Sequence, residues 1–387
     1  MKIIKNGINA VAGITSLGKA IGIKKSGKMD FAVIYSDKIA AASGVFTKNK
    51  IKGAPVYVTK KKIKKGKAQA IVINSGIANV STGEKGIKDA EEMANLVADE
   101  LKINRNDVLV ASTGVIGKFL PMEKIREGVK GIGNQLSKKN KAADAIMTTD
   151  AYKKEIAVNI GNVTIGAIAK GAGMIHPNMA TMLCFITTDA EIPSSELKKM
   201  LKNSVDKSFN MISVDNDTST SDMVILMANG TKGKVNIKKF QYALDFVCIE
   251  LAKKIAADGE GATKLIEVNV KNASSKEDAK KVAKSIITSN LVKCAFYGND
   301  LNFGRVMCAI GNSNARFKEE KIDIFFENEQ IVKNGMEKKI NAAKIKMLMK
   351  EKKNRIFVNL NSGSYEATAW GSDLTLDYVK FNSNYHT

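Results

Sequence analysis

Hydrophobic and polar positions change period several times along this chain, and each change marks an element. Residues 69–74 (Gln-Ala-Ile-Val-Ile-Asn) form an apolar run of strand length, closed by Ser75-Gly76. From Lys88 to Leu101 the period lengthens, and Ala90, Met93, Ala94, Val97 and Leu101 share one helical face. Asp107–Ala111 is a second buried-strand run, followed by Ser112-Thr113-Gly114. Glu123–Leu136 carries a helical period, weakened by Gly128, Gly131 and Gly133. After Pro193, Ser194-Ser195-Glu196 opens a helix to about Lys207, with Leu197, Met200, Leu201 and Val205 inward. Tyr242–Ala257 reads as an apolar helix stopped at Asp258-Gly259, and Ser274–Asp278 as a capping-box start for a helix to about Ile287. Ile356–Lys380 alternates like strands, and Phe381–Tyr385 extends that order almost to the last residue. Strands and helices interleave throughout, without an internal repeat. The class is α/β or α+β with layered sheets.

Composition narrows the chemistry. The chain has 387 residues, enough for two or three domain-sized units or one large core, and 44 % of them are hydrophobic. Only two histidines are present, His176 and His386, which excludes a His-rich metal site. Cys184, Cys248, Cys294 and Cys308 show no CxxC spacing and read as free, buried thiols in a reducing compartment. No apolar run approaches the roughly 20 residues of a membrane span, and Asn6, Asn9, Ser16 and Lys19 break any signal-peptide core after the basic start. A cytoplasmic protein without membrane contact is expected.

The net charge of +22 suggests nucleic acid as a partner. Yet the basic residues are lysines apart from Arg105, Arg126, Arg305, Arg316 and Arg355, and they are spread along the whole chain. Arginine forks do most specific phosphate and base recognition. A solvated lysine surface is therefore preferred, and no nucleic-acid partner is expected.

The most unusual stretch is 165–190. Lys170-Gly171-Ala172-Gly173 sets a lysine beside a flexible turn, 174–180 has no regular period, and 181–188 reads as a buried strand that begins at Thr181. A threonine there has two readings. It is an ordinary β-branched strand residue, or it is a nucleophile whose own α-amine, freed by backbone cleavage, serves as base. Such an amine has a pKa near ~7.7–8 and needs no histidine.

The segment Lys170-Gly171, Gly173–Leu183 closely resembles the autocleavage signature of the ornithine acetyltransferase (glutamate N-acetyltransferase) family. Further blocks follow in that family's order: 46–49, 74–76 with Ala78-Asn79 and Thr82-Gly83, 112–117, 147–150, 208–210, 214–215, 217–220, 258–264, 367–371, 373–375 and 377–379. The resemblance covers almost the whole chain. Phe303 stands where the family usually has tryptophan, Ser372 where cysteine is common, and Ile77 and Val80 replace polar or small residues.

The resemblance implies a layered α/β–β/α sandwich of N-terminal-nucleophile type, with a smaller α/β region in the C-terminal half. It implies cleavage between Ala180 and Thr181, giving an α chain of 1–180 and a β chain of 181–387, assembled as two of each. Thr181 would carry the acetyl group from N2-acetylornithine to glutamate in arginine biosynthesis, by ping-pong kinetics. Thr113 and Gly114 would form the oxyanion hole. Thr148, Thr149, Lys170, Glu260, Asn382 and the terminal Thr387 would contact substrate, Lys170 facing a carboxylate and Glu260 an ammonium group. No metal or cofactor is implied; acetyl-CoA is a co-substrate only if the enzyme is bifunctional. A hydrolytic amidase or aminopeptidase of similar fold is the remaining enzymatic alternative. His176 is read as positioning the loop ahead of the scissile bond rather than as catalytic.

Overall fold

The computed structural model describes residues 1–139, 141–176 and 182–384. Its strands are β1 (Lys2–Ile4), β2 (Ile14–Lys19), β3 (Phe31–Phe46), β4 (Lys67–Ile77), β5 (Val108–Val115), β6 (Lys154–Ile160), β7 (Val163–Lys170), β8 (Leu183–Thr188), β9 (Ile212–Ser213), β10 (Met223–Ala228), β11 (Leu265–Ala273), β12 (Asp323–Phe326), β13 (Glu329–Lys333), β14 (Met336–Glu337), β15 (Lys353–Asn359) and β16 (Tyr365–Ser372). They form two sheets. The larger runs β1-β6-β7-β8-β10-β3-β4-β5, with β2 paired on β3; the smaller runs β14-β13-β12-β15-β11-β16-β9. The main helices are α1 (Ala54–Lys62), α2 (Gly83–Leu101), α3 (Met122–Val129), α4 (Ala142–Ala145), α5 (Ser194–Lys207), α6 (Ile237–Ala257) and α7 (Lys276–Thr288).

Alternation along the strands explains the layers. Val33, Val72 and Val110 point one way and meet Ala90, Met93, Ala94 and Val97 of α2. Their neighbours Ile34, Ile71 and Leu109 point the other way, into a core shared with Ile168, Phe185, Ile225 and Met227 of the opposite limb of the same sheet. On the far side, Ile165, Cys184 and Val224 pack against Leu197 and Leu201 of α5 and Leu244 and Leu251 of α6. The order is helix, sheet limb, sheet limb, helix. The sixteen-residue β3 belongs to both limbs, and its pairing with β4 shifts register between Tyr35 and Ala40, which lets it bend. Behind α6, the second sheet packs Ile266, Val268 and Val270 with α7.

Most expected elements are present, with three differences. The 123–136 helix stops at Val129; Gly131 takes φ +69° and a short 3-10 turn follows. The period-two reading of 356–380 holds only through Ser372, because Leu376–Asn384 is a helix. Thr375 starts it, its hydroxyl accepting from the Tyr378 N–H at 3.1 Å. Residues 381–384 are thus helical, not strand-like. Of the four thiols, Cys184 and Cys248 are buried, but Cys294 and Cys308 are exposed. Among the described residues, no helix is long and apolar enough to cross a membrane.

Under the junction of β6, β7 and α6 lies a buried ion cluster. Lys154 Nζ donates to Asp150 Oδ1 at 2.7 Å and to Asp258 Oδ2 at 2.5 Å, and all three side chains are essentially inaccessible. Replacing only the lysine leaves two buried carboxylates facing each other. Lys154→Met is expected to cost about 3–5 kcal/mol, read as a lowered urea midpoint with unchanged slope.

Candidate active site

A pocket of about 240 Å3 lies where β5 and β7 end and the approach to β10 begins. Thr113, Gly114, Thr148, Thr149, Lys170, Glu260 and Asn382 all line it. Residues distant in sequence are thereby brought together. Ala180, Thr181 and Thr387 lie outside the described residues.

The Thr113-Gly114 turn is fixed by close backbone approach. Gly114 has φ +129°, and a Cβ there would stand 2.3 Å from the Gly76 carbonyl carbon. Only glycine lets β5 pass the end of β4 at that distance. Lys170 Nζ, at the end of β7, donates to Thr113 Oγ1 at 3.2 Å. That leaves the threonine's own proton free to point at a ligand. The Gly114 N–H and the Thr113 hydroxyl can then act as paired donors.

Lys170 is buried, and burial pulls its ammonium below the ordinary lysine range, against the attraction of Asp150. Burial alone would raise the Asp150 carboxyl. Lys170 and Lys154 outweigh it, with the Gly171 N–H donating at 2.7 Å, and hold the group at about 2. Asp150 also accepts the Thr148 N–H at 3.0 Å, which sets the 148–149 loop. Lys24 secures the same loop through the Met147 carbonyl at 2.7 Å.

Glu260 follows α6, and its N–H donates to the Ala172 carbonyl at 3.0 Å. Its carboxylate lies over Gly173, where a Cβ would be 2.3 Å from Oε2. Asn382 Nδ2 donates to that oxygen at 3.1 Å. A cationic end and an anionic end therefore face one cavity, which suits an amino acid carrying both charges.

Asp215 is a pocket residue to which the sequence alone attached no role. Its two oxygens accept the N–H groups of Met174 and Ile175, each at 2.7 Å, and the Tyr378 hydroxyl also donates to it. Met174 takes φ +55°, so the clamp holds a left-handed turn beside the cleft. Asp215, Ser219 and Tyr378 fall inside the resembling blocks, but no periodicity marks an aspartate as a backbone clamp.

His176 is not among the lining residues. Its Nδ1 lies 3.2 Å from Ser213 Oγ, and its carbonyl accepts from Thr218 Oγ1 at 2.8 Å. Burial, with Lys284 nearby, lowers its pKa from 6.5 to about 4. A depressed base is neutral when folded and takes up a proton on unfolding between those values. Its contribution is therefore complete above about pH 6.5 and is lost as pH falls towards 4. In denaturant titrations across that window, His176→Gln is expected to lose less stability than the unsubstituted chain.

The profile of the ArgJ family matches residues 15–387. The "arginine biosynthesis bifunctional protein ArgJ" of Caldanaerobacter subterraneus is 48% identical over the full length of both chains. ArgJ 1 of Clostridium acetobutylicum is 49% identical, covering 100% of this chain and 99% of its own. Among solved structures, the arginine biosynthesis bifunctional protein of Bacillus halodurans aligns with TM-score 0.52 at 43% identity, covering 53% of this chain and all of that one. By profile, by full-length identity and by fold, the chain belongs to the ArgJ family.

Proposed function

We propose that the chain is the glutamate N-acetyltransferase of arginine biosynthesis, acting through Thr181. The observation that carries this reading is the convergence of Lys170, the Thr113-Gly114 turn and Glu260 on one pocket. A smaller cavity sharing Thr113 and Lys170 reaches Met182, the residue after Thr181 in sequence. The precursor cuts itself when Thr181 Oγ attacks the Ala180 carbonyl, the peptide nitrogen leaves as an amine, and water hydrolyses the resulting ester. The products are an α chain of 1–180 and a β chain of 181–387.

In the mature enzyme Thr181 Oγ attacks the acetyl carbonyl of N2-acetylornithine while its own amine accepts the proton. Thr113 and Gly114 donate to the developing oxyanion. The C–N bond breaks, the proton passes to the departing amine, and ornithine leaves. Glutamate's neutral amine then attacks the acetyl ester and releases N-acetylglutamate. Lys170 and Glu260 hold the charged ends of the substrates, and Thr148, Thr149, Asn382 and Thr387 complete the contacts. In this reading the enzyme works in the cytoplasm as a dimer of αβ pairs. The word "bifunctional" in the relatives' names favours a second activity, acetylation of glutamate from acetyl-CoA at the same threonine. A hydrolytic amidase is the competing chemistry.

Denaturing intact mass tests the first step. Two fragments split between Ala180 and Thr181, with one uncut chain from Thr181→Ala, are expected; an uncut, active wild-type chain would overturn the mechanism. Initial rates should give parallel double-reciprocal lines for acetylornithine and glutamate, and hydrolysis without glutamate would favour the amidase. Thr113→Ala should lower kcat by about 10²–10³, with little change in KM. Product formation from acetyl-CoA and glutamate alone decides the second activity.

A further inference from the structure

The strand β3 outruns its neighbour β4. The two pair no further than Ala41 with Lys67, after which the Ala42 N–H donates to the Gly66 carbonyl at 2.9 Å. From there β3 is held only by β10, on its other edge, as far as Phe46 opposite Met223. Alternate residues of a strand direct their N–H groups to the same edge. The Gly44 N–H therefore points the way Ala42 does, to an edge that no strand covers among the described residues. A cleft of about 400 Å3 lies there, between α1 with the turn after it and the start of α5.

Some groups in its lining do no work for the fold. Ser43 is only 5% exposed and lies on the same face of β3 as Val45, which packs with α5. Its hydroxyl borders the cleft, yet it has no hydrogen-bond partner among the described residues. A buried hydroxyl is normally paired, so one left open onto a cleft points to a ligand. Ser194 and Ser195 begin α5 after Pro193, without a side-chain cap. Glu196 and Leu197 share the Pro193 carbonyl, which leaves the first two N–H groups of the helix without an acceptor among the described residues. Gly66 brings this helix start against the strand edge, since a Cβ there would lie 2.5 Å from Ser194 Oγ.

Charge in the cleft is one-sided. Lys60 and Lys64 line it from α1 and the following turn, and Lys198 from one turn into α5; no carboxylate does. All three lysines are exposed and form no ion pair among the described residues. Lysines often guard an open sheet edge. Guarding explains Lys60 and Lys64, but not the open Ser43 hydroxyl or the free helix N–H groups. An anion explains them all, because a helix start and ammonium groups both favour negative charge. Phe46 and Ile63 add an apolar side, which suits an organic body attached to that anion.

We propose that this cleft binds the phosphate groups of a small organic phosphate. The start of α5, Ser43 and the Gly44 N–H are the donors, and Lys60, Lys64 and Lys198 supply the counter-charge. It shares no lining residue with the pocket of Lys170 and Glu260 and does not rest on the reading of Thr181. A nucleoside diphosphate and coenzyme A carry the same diphosphate; only the coenzyme A source rests on the second activity proposed above.

Isothermal titration of the whole enzyme with ADP, and separately with coenzyme A, tests this at about 0.15 M salt. One molecule of at least one of them should bind per chain. Ser43→Ala is expected to weaken binding about tenfold. It should leave the thermal midpoint of the ligand-free protein unchanged or higher, because the hydroxyl it removes has no partner; a merely structural serine would lower that midpoint. Lys60→Gln combined with Lys64→Gln should also weaken binding about tenfold. The exposed pair Lys338→Gln with Lys339→Gln should change it less than about twofold. A KM for acetyl-CoA that rises in the cleft variants identifies coenzyme A as the source, and ADP binding with unchanged acetyl-CoA kinetics identifies a nucleotide. Binding of neither compound, or an equal loss in the Lys338/Lys339 pair, would overturn the site, since any affinity would then be the general attraction of a chain of net charge +22.

Discussion

The pocket depends on charges that are buried together. Asp150 is the centre of this arrangement. It takes Lys154 and the Gly171 N–H on one oxygen and the Thr148 N–H on the other. Through those contacts one carboxylate ties β6, the end of β7 and the 148–149 loop into a single unit. Lys154 extends the tie to Asp258 at the end of α6, two residues before Glu260. Isolated buried charges are expensive, so each member is stable only while the others are present. The position of Lys170 against Thr113, and of Glu260 across the cavity, both follow from that requirement. The depressed pKa of Asp150 keeps that central carboxylate ionised throughout the pH range of metabolism.

Backbone geometry supplies what the charges cannot. Gly114 and Gly173 are both required by proximity, the first to the Gly76 carbonyl and the second to the Glu260 carboxylate. Any side chain would push a donor or an acid out of the pocket. Met174 holds a left-handed conformation because Asp215 binds the amides on either side of its Cα–C bond. The 171–176 segment is thus set by hydrogen bonds to its backbone more than by packing. Ile175 is the exception: it is buried in the main core, where it fixes the depth of the turn.

Those distinctions explain what could be read from residue order. Core strands such as 69–74 and helices such as 194–207 announce themselves, since periodic burial leaves a periodic sequence. The C-terminal helix did not, because Leu376, Val379 and Phe381 are exposed and carry no inward stripe. Its start signal was the cap at Thr375. The pocket residues were legible only as blocks resembling a family. Composition gave Lys170 no distinction from the many other lysines; the distinction comes from burial beside Asp150. Asp215 is equally invisible, since clamping the Met174 and Ile175 nitrogens depends on a tertiary contact that no local pattern encodes. The charge surplus divides in the same way. Lys154, Lys170, Lys264 and Lys293 are buried, each with its own partner, which makes a few of the lysines internal struts rather than part of a basic surface.

The order of strands bears on what a cut ahead of residue 181 would do. In the larger sheet β8 and β10, from the C-terminal side of that point, lie between β7 and β3 from the N-terminal side. β8 is paired with β7 over six positions, and β10 with β3 over six more. The segments 1–180 and 181–387 are therefore not two domains joined by a linker but interleaved parts of one sheet. The ladders that hold the two segments together, and the core shared by Ile168, Phe185 and Ile225, are built from residues on either side of that point. The cohesion of the two segments therefore comes from strand pairing rather than from chain continuity alone.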